Sequence, residues 1–271
     1  MLVWFKKYSS ILRASIITAL EYKANSVVGL FAILSGLLIE YLIWSMIYSS
    51  QSSAYTIDGW KFNRLIAYIF LSMIIGQLKS SWVTAHEMIM QIRQGFMNQY
   101  LVKPLSFFSY HLMNFIGTNI LYYIPYAILI FIAPIIFKDL IFINFVQVPF
   151  FILAVIISIY LSYSIYFFMV CFAFWFGEVR ALLAAYNISM FVLAGQIIPL
   201  DFFPEYYIEI INYTPIPYLI KFPVDIAMAL EVDLYKWFTF IFIALVWCFI
   251  MRLLSSIVYS FGIKRYEAYG S

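Results

Sequence analysis

The chain has 271 residues, of which 65% are hydrophobic, 21% aromatic and only 11% charged, with a formal net charge of +3 at pH 7. A soluble domain is roughly 45–50% apolar and about 25% charged, so 16 basic and 13 acidic residues do not supply the polar surface of a soluble globule. The composition excludes an ordinary cytosolic enzyme, a nucleic-acid-binding domain and a disordered chain. It predicts one all-α polytopic membrane domain over residues 1–271.

Residues 1–24 predict a helix that lies along the cytoplasmic membrane surface. At 100° per residue, aromatic and aliphatic side chains share one face and the basic ones share the other, with Ile17 as the exception. The apolar face comprises Trp4, Phe5, Tyr8, Ile11, Leu12, Ile16 and Ala19, and the polar face comprises Lys6, Lys7, Ser10, Arg13 and Glu21. Such a helix places its basic residues against anionic lipid headgroups.

Six apolar segments are long enough to cross a bilayer, which needs about 20 residues at 1.5 Å each. They are Val27–Ser49, Leu65–Val83, Leu112–Phe137, Val146–Phe176, Ala181–Leu200 and Trp237–Phe261. An even number of spans puts both termini on one side. Cys171 and Cys248 fall within apolar runs and are expected to be small buried hydrophobes rather than a disulfide.

Lys and Arg set the orientation, because cytoplasmic loops carry the excess of them. With both termini inside, nine basic residues face the cytoplasm: Lys6, Lys7, Arg13, Lys23, Arg93, Lys103, Arg180, Lys264 and Arg265. Five face outside: Lys61, Arg64, Lys138, Lys221 and Lys236. The charge distribution predicts a multi-pass membrane protein with both termini in the cytoplasm.

Glu40 and Arg252 are the unusual charges inside the spans. Counted from the cytoplasmic ends of their spans, they differ in depth by about 5 Å at 1.5 Å per residue. One interpretation is an intramembrane ion pair between the first and last spans. The alternative is that Glu40 lines a substrate path, because a charge at this depth must face protein, water or a cation.

Two segments outside the spans carry distinctive patterns. The loop 84–111 holds good helix formers from Glu87 to Tyr100, interrupted by Gly95 and ended by Pro104. The segment 199–223 carries five prolines among aromatic and aliphatic residues, which makes it too apolar for a free loop and too broken for a span. Short helices that dip into the outer leaflet fit it best, with proline at their starts and ends.

Motifs for catalysis are missing from the sequence. His86-Glu87 begins like the zinc-protease motif HExxH, but Met90 stands where the second histidine is needed. No Gly-Lys dipeptide occurs, so the chain has no P-loop and any ATP must be hydrolysed by a partner.

The pattern resembles the permease subunit of type 2 ABC exporters. The resemblance rests on Ile92-Arg93-Gln94-Gly95 with Leu101-Val102-Lys103-Pro104-Leu105-Ser106, and on the run Gly195–Pro204 followed by Tyr213-Thr214-Pro215 and Phe222-Pro223. The end of the chain, from Arg265 to Gly270, is also similar to the tail of that family.

The resemblance implies that two permease chains, identical or related, form a path above two ABC ATPase subunits that bind ATP and Mg²⁺, while this chain binds no cofactor or metal. It implies a coupling helix near Glu87, Arg93 and Gly95, although these are alternatively solvated charges of an ordinary loop. It implies an extracellular gate, although its aromatics alternatively only anchor at the interface. The gate residues are Pro199, Phe202, Phe203, Pro204, Tyr206 and Tyr207.

The resemblance implies export across the bacterial inner membrane. An aromatic, weakly charged path suits a lipid-like molecule, an amphipathic drug or a hydrophobic peptide, although polysaccharide exporters share the topology. Two other classes stay open. An integral membrane enzyme acting on lipids needs a cluster of His, Asp or Glu, for which His86-Glu87 is the only candidate. An ion-coupled secondary transporter is opposed by the presence of a single acidic residue, Glu40, well inside a span.

Overall fold

The computed structural model describes residues 2–21, 23–49, 56–57, 59–102, 105–138 and 140–266, and within these ranges the chain is helical with no β-strand. Two short 3₁₀ helices occur at Leu200–Phe202 and Pro217–Leu219. The α-helices are α1 Leu2–Glu21, α2 Lys23–Ser49, α3 Phe62–Leu78, α4 Trp82–Arg93, α5 Asn98–Val102, α6 Phe107–Thr118, α7 Ile120–Ile136, α8 Gln147–Cys171, α9 Ala173–Phe176, α10 Arg180–Leu193, α11 Glu205–Asn212, α12 Lys221–Ala227 and α13 Leu234–Arg265.

Among the described residues, four helical segments are long and apolar enough to span a membrane, against the six predicted. They are Val27–Ser49, Phe62–Arg93, Gln147–Phe176 and Leu234–Arg265. A fifth follows if α6 and α7, which meet at an angle of 56°, count as one broken span. The break lies at Asn119, whose side-chain amide donates to the carbonyl of Phe115 (2.8 Å).

The predicted span Ala181–Leu200 is not a continuous helix. Helix α10 has 14 residues, about 21 Å at 1.5 Å per residue, which is too short to cross the hydrocarbon core alone. The helix ends where the chain turns through Gly195, which has a positive φ of 71°. The second span also differs from prediction, because helix continues past Val83 as α4.

Helix α8 is the centre of the fold. It packs against α13 along most of its length, and also against α12 and α4. The Tyr163 hydroxyl donates to the Phe108 carbonyl (2.8 Å), and the Ser255 hydroxyl on α13 donates to Met251 (2.6 Å) within its own helix and lies 3.2 Å from the Ser164 carbonyl. Both cysteines are free and buried, as predicted; Cys171 is on α8 and Cys248 on α13.

Helix α1 packs on α6 through the apolar face that the sequence predicts. Tyr8 and Ala19 are buried, while Ile11, Leu12 and Ile16 are half-buried and Ile17 is exposed. The close approach is made at Gly117, where an added Cβ would lie 2.5 Å from the Cβ of Ser15. The Ser15 hydroxyl donates to the Asn114 side-chain oxygen (2.8 Å). The amphipathic helix is therefore held by the membrane domain itself, and its position at the lipid surface stays a prediction.

The segment 199–223 folds into the short helical pieces expected of it. Pro204 precedes α11, and Pro217 begins a 3₁₀ helix. The Gln147 amide at the start of α8 donates to Ala229 (2.6 Å), and the Ser158 hydroxyl donates to Leu219 (2.6 Å). Eleven residues separate those two donors, so the chain between Leu219 and Ala229 runs about 16 Å along α8, toward its N-terminal end.

The packing of α1 on α6 leads to a test with two glycines. Gly117→Ala forces the two helices apart, because the new Cβ would also lie 3.0 Å from the Leu12 carbonyl. We expect the free energy of unfolding to fall by about 1–3 kcal/mol. Trypsin should then cleave α1 faster, which limited proteolysis of the purified protein measures.

Gly36→Ala is the matched control in another helix. Its added Cβ meets only the flexible end of Met73 (3.0 Å), so α1 should stay protected. Equal cleavage in the two variants would contradict the α1–α6 contact.

Candidate functional site

The loop 84–111 contains a sharp turn between α4 and α5. Helix α4 ends at Arg93, and Gly95 follows with a φ of 80°, a left-handed conformation that suits glycine. The Phe96 amide donates back to the Gln91 carbonyl (3.0 Å), and the Phe96 side chain is exposed. Lys103 and Pro104, which carry part of the predicted motif, lie outside the described residues. We call the segment Gln94–Met97 the turn.

Arg93 is paired with a residue that the sequence reasoning did not select. It forms a salt bridge with Glu178, in the connection that precedes α10. Glu178 is also bound by Arg180 (2.6 Å). The hydrogen bonds from Arg180 and the charges of both arginines lower the pKa of Glu178 to about 2. The sequence held one signal for this contact: Glu178 is an acidic residue near Arg180, in the connection between the fourth and fifth predicted spans.

Glu87 reaches α6 and, through it, α1. The Asn114 amide donates to the Glu87 carboxylate (3.2 Å), and the Asn114 oxygen accepts from Ser15 (2.8 Å). Glu87 itself is exposed on α4, as are Val83, Met90 and Arg93, which follow at helical spacing. The exposed face of α4 therefore runs into the turn as one mixed apolar and charged surface.

The inner side of the turn is held by a polar cluster and by the end of α13. The Gln91 oxygen accepts from the Tyr100 hydroxyl (2.9 Å) and lies 3.1 Å from Nε2 of the buried His111. The Met97 amide donates to the Tyr266 hydroxyl (3.2 Å), just past the end of α13. Helices α6, α8 and α9 thus contact α4 directly. Helix α1, the start of α10 and the residue after α13 reach α4 or the turn through side chains.

His86 has a local structural contact. Its Nδ1 lies 3.1 Å from the Trp82 carbonyl one turn earlier. Among the residues that the structure describes, no group of three His, Cys, Asp or Glu side chains comes together as a metal site.

The predicted ion pair between Glu40 and Arg252 is not formed in this chain. Helix α2 packs on α3 and α7, whereas α13 packs on α8, so similar depths do not bring the two charges together. The Arg252 guanidinium lies over the ring of Phe108, 4.1 Å from its centroid. Glu40 is half-buried beside Trp44 of the next helical turn. A path role for Glu40 stays a prediction.

The predicted gate residues lie at the outer end of α3. Phe202 packs edge-on against Trp60 (5.9 Å between centroids) and Trp44 (6.4 Å). Phe203 stacks on Tyr207 (4.7 Å). Pro199 is buried, whereas Pro204 and Tyr206 are exposed. The predicted set therefore contains three kinds of residue: packed aromatics, a buried proline and exposed positions.

An ion cluster ties the two ends of this segment together. Lys221 Nζ lies 2.7 Å from Asp201 and 3.2 Å from Asp225. Both ion pairs border a cavity of about 560 Å³, whose lining also includes Arg64 and Trp60. We call the segment Pro199–Pro223 the outer segment.

Helix α3 holds the chain just before the outer segment. The Tyr68 hydroxyl donates to Gly195 (2.7 Å), and the Ser72 hydroxyl donates to Gln196 (2.6 Å). Ser72 lies ten residues past Phe62, about 15 Å along the helix. Between Gln196 and Phe202 the chain therefore runs back along α3, from the level of Ser72 to the level of Trp60. The sequence reasoning missed Tyr68 and Ser72, whose only signal was polar atoms four residues apart in an apolar run.

Comparison with known protein families identifies the family to which the chain belongs. The model of the ABC-2 family transporter proteins matches residues 34–270, and the chain belongs to that family. It is therefore a multi-pass membrane protein and a transport component that associates with ABC ATPases. No curated protein matches the chain significantly.

The cluster beneath the turn gives a prediction about stability. Gln91→Leu removes the acceptor of the Tyr100 hydroxyl and leaves His111 without its Gln91 contact. An unsatisfied buried polar group costs about 1–3 kcal/mol, so the thermal midpoint of the purified protein should fall. Gln94→Leu is the control, because Gln94 is the exposed first residue of the turn and its side chain is not part of the buried cluster. An unchanged midpoint in Gln91→Leu would show that the cluster does not hold the turn.

Proposed function

We propose that this chain is the permease subunit of an ATP-driven exporter that works as a dimer with two ATPase subunits on its cytoplasmic side. ATP and Mg²⁺ bind to the ATPase subunits. The single observation that carries the proposal is the segment Phe62–Arg93, which reaches from the outer segment to the turn. At one end it begins just after Trp60, which packs on Phe202 of the proposed gate, and at the other it carries the residues proposed for coupling.

The turn and the exposed face of α4 form the docking surface for the ATPase. Phe96 and Met90 offer apolar contact, and Glu87 and Arg93 offer charge of both signs. The surrounding contacts support this assignment, because α1, α6, α10 and α13 brace the turn and pass a displacement to the spans. An ordinary solvated loop has no need of such bracing.

Closure of the ATPase pair would move α4, and with it α3. Because Tyr68 and Ser72 bind the backbone at Gly195 and Gln196, a shift of α3 displaces the start of the outer segment. The packed aromatics around Phe202 then separate from Trp60 and Trp44. This is a rigid-body mechanism, in which α3 and α4 move together and displace both the turn and the outer segment.

The proposed topology has six crossings and both termini in the cytoplasm of a bacterium. The fifth crossing is made by α10 together with residues 196–202, which run back along α3 toward Trp60. Its inner end is supported by the Glu178–Arg93 pair and its outer end by Phe202 against Trp60. The exposed apolar face of α2, with Phe31, Leu38 and Met46, is available to lipid or to the second permease.

The substrate class is proposed as lipid-like, an amphipathic drug or a hydrophobic peptide. Aromatic rings of Trp44, Trp60 and Phe202 border the outer exit, and they suit an apolar or amphipathic molecule better than a strongly hydrated one.

The direct test is co-purification. The permease extracted in mild detergent should retain an ABC ATPase, and the complex should hydrolyse ATP. A chain that never retains an ATPase, yet shows transport when reconstituted alone, would overturn the proposal.

Gly95 provides a sharper test of coupling. Gly95→Val forces a β-branched residue into a positive φ, which costs on the order of 1–3 kcal/mol, so the turn should change shape. We expect transport per ATP hydrolysed to fall about tenfold or more, measured in proteoliposomes. Gly95→Asn is the matched control, since asparagine tolerates this conformation. Normal export and normal substrate-stimulated hydrolysis in Gly95→Val would exclude the turn from coupling.

The ion cluster of the outer segment provides a test of the gate. Lys221→Met removes both ion pairs and leaves Asp201 and Asp225 without their shared cation. We expect a looser outer segment, seen as faster labelling of a Leu200→Cys reporter by an impermeant maleimide. Leu200 is buried, and the native cysteines are buried too, so the background is low.

Lys138→Met is the matched control, because Lys138 is exposed and distant in sequence from the cluster. Equal labelling rates in the two variants would mean that Lys221 does not hold the outer segment closed.

A further inference from the structure

A cavity of about 350 Å³ lies between the first turn of α6 and the C-terminal third of α13. Its volume is in the range of small-ligand sites, ~300–1,000 Å³. Its lining contains no acidic residue, and it consists of Tyr100, Leu105, Ser106, Phe107, Phe108, Phe167, Arg252, Ser256, Tyr259 and Ile263. The cavity therefore combines aromatic walls, hydroxyl groups and a single positive charge.

Arg252 brings that charge into an otherwise apolar stretch of α13. Its neighbours Leu253 and Leu254 are exposed, as expected of residues that face lipid. Across the part of the chain that the structure describes, the only salt bridges involve Glu178, Asp201 and Asp225, so Arg252 has no carboxylate partner there. The Phe108 ring contacts the guanidinium but cannot neutralise it. A charged side chain within a membrane helix is costly unless a group of opposite charge or polarity stabilises it.

The cavity offers further donors beside the guanidinium. Ser106 caps α6 by accepting from the Ser109 amide (3.4 Å), which leaves its hydroxyl proton for another acceptor. Ser256 lines the same cavity one turn after Arg252. The first turn of α6 adds the positive end of a helix dipole. A planar guanidinium with neighbouring hydroxyls matches the oxygens of a phosphate.

The position of the cavity points to a lipid headgroup. Leu105 and Ser106 belong to the loop that carries the turn, and Tyr259 and Ile263 lie near the charged end of α13 at Lys264 and Arg265. Arg252 lies 13 residues, about 20 Å, before Arg265, and the other cavity residues of α13 lie between Arg252 and that charged end.

We infer that this cavity binds the phosphate of an anionic phospholipid, with Arg252 as its counter-ion. The assignment of the lipid to the cytoplasmic leaflet rests on the orientation proposed above; the binding site itself does not. The bound lipid would be a resident of the transporter, wedged between α6 and α13 and distinct from the proposed path.

Lipid-dependent thermal stability of the delipidated full chain in detergent tests the inference. Phosphatidylglycerol should raise the midpoint of the wild type, whereas phosphatidylcholine of the same acyl chains and inorganic phosphate should not. Arg252→Gln should weaken the apparent affinity for phosphatidylglycerol about tenfold or more, one charge-assisted contact being worth about that factor. Ser256→Phe, which fills the cavity and keeps the charge, should do the same.

Arg64→Gln is the matched control, because the Arg64 guanidinium also stacks on an aromatic ring, at Trp60 (4.5 Å), but at the outer end of α3. Its lipid response should equal that of the wild type. Equal effects of the two lipids on the wild type, an unchanged response in Ser256→Phe, or stabilisation by inorganic phosphate alone would each overturn the inference. ATPase retention is scored separately in the same preparations, so failure of the coupling proposal is distinguishable from failure of the lipid site.

Discussion

Inside a bilayer every backbone carbonyl must find a donor within the protein, and this constraint shapes the whole molecule. Helical structure is interrupted near Gly195 and near Leu219 within the described chain. At each break a hydroxyl from an intact helix replaces the missing helical bond. Tyr68 and Ser72 on α3 do so for the first break, and Ser158 on α8 does so for the second. The outer segment exists because α3 and α8 carry these hydroxyls.

These bonds distinguish two structural parts of the molecule, the packed centre around α8 and the helix α3 with its attachments. Helix α8, with α13 and α12, forms a packed centre whose contacts are mostly apolar. Helix α3 holds the start of the outer segment and is followed by α4, so it connects that segment with the turn. A helix with two such attachments transmits movement without needing a flexible linker, because packed helices shift as units. The proposed coupling therefore follows from connectivity rather than from any single charged residue.

Much of the fold follows from the sequence, because apolar length alone specifies a buried or lipid-facing helix. The ranges of α2, α8 and α13, the amphipathic face of α1 and the proline-broken outer segment were all predictable in this way. The early end of α10 was not, because the bonds that stabilise its turn come from α3. Similarly, Thr84 and Glu87 suggested the end of a span, whereas α4 continues because Met88, Ile89 and Ile92 are buried. The similar depths of Glu40 and Arg252 in their spans did not show that α2 and α13 pack on different helices. The functional assignments of these residues remain predictions; what the structure shows at Gly95 is a left-handed backbone conformation.

The bond between Met97 and Tyr266 has a consequence for the order of synthesis. Ribosomes deliver a chain from its N-terminus, so α4 and the turn emerge long before α13. The turn acquires this bond only after α13 has been synthesised. A translation product that stops before Tyr266 would leave the Met97 amide without this acceptor. The proposed docking surface is thus completed by a residue that lies 169 positions after Met97.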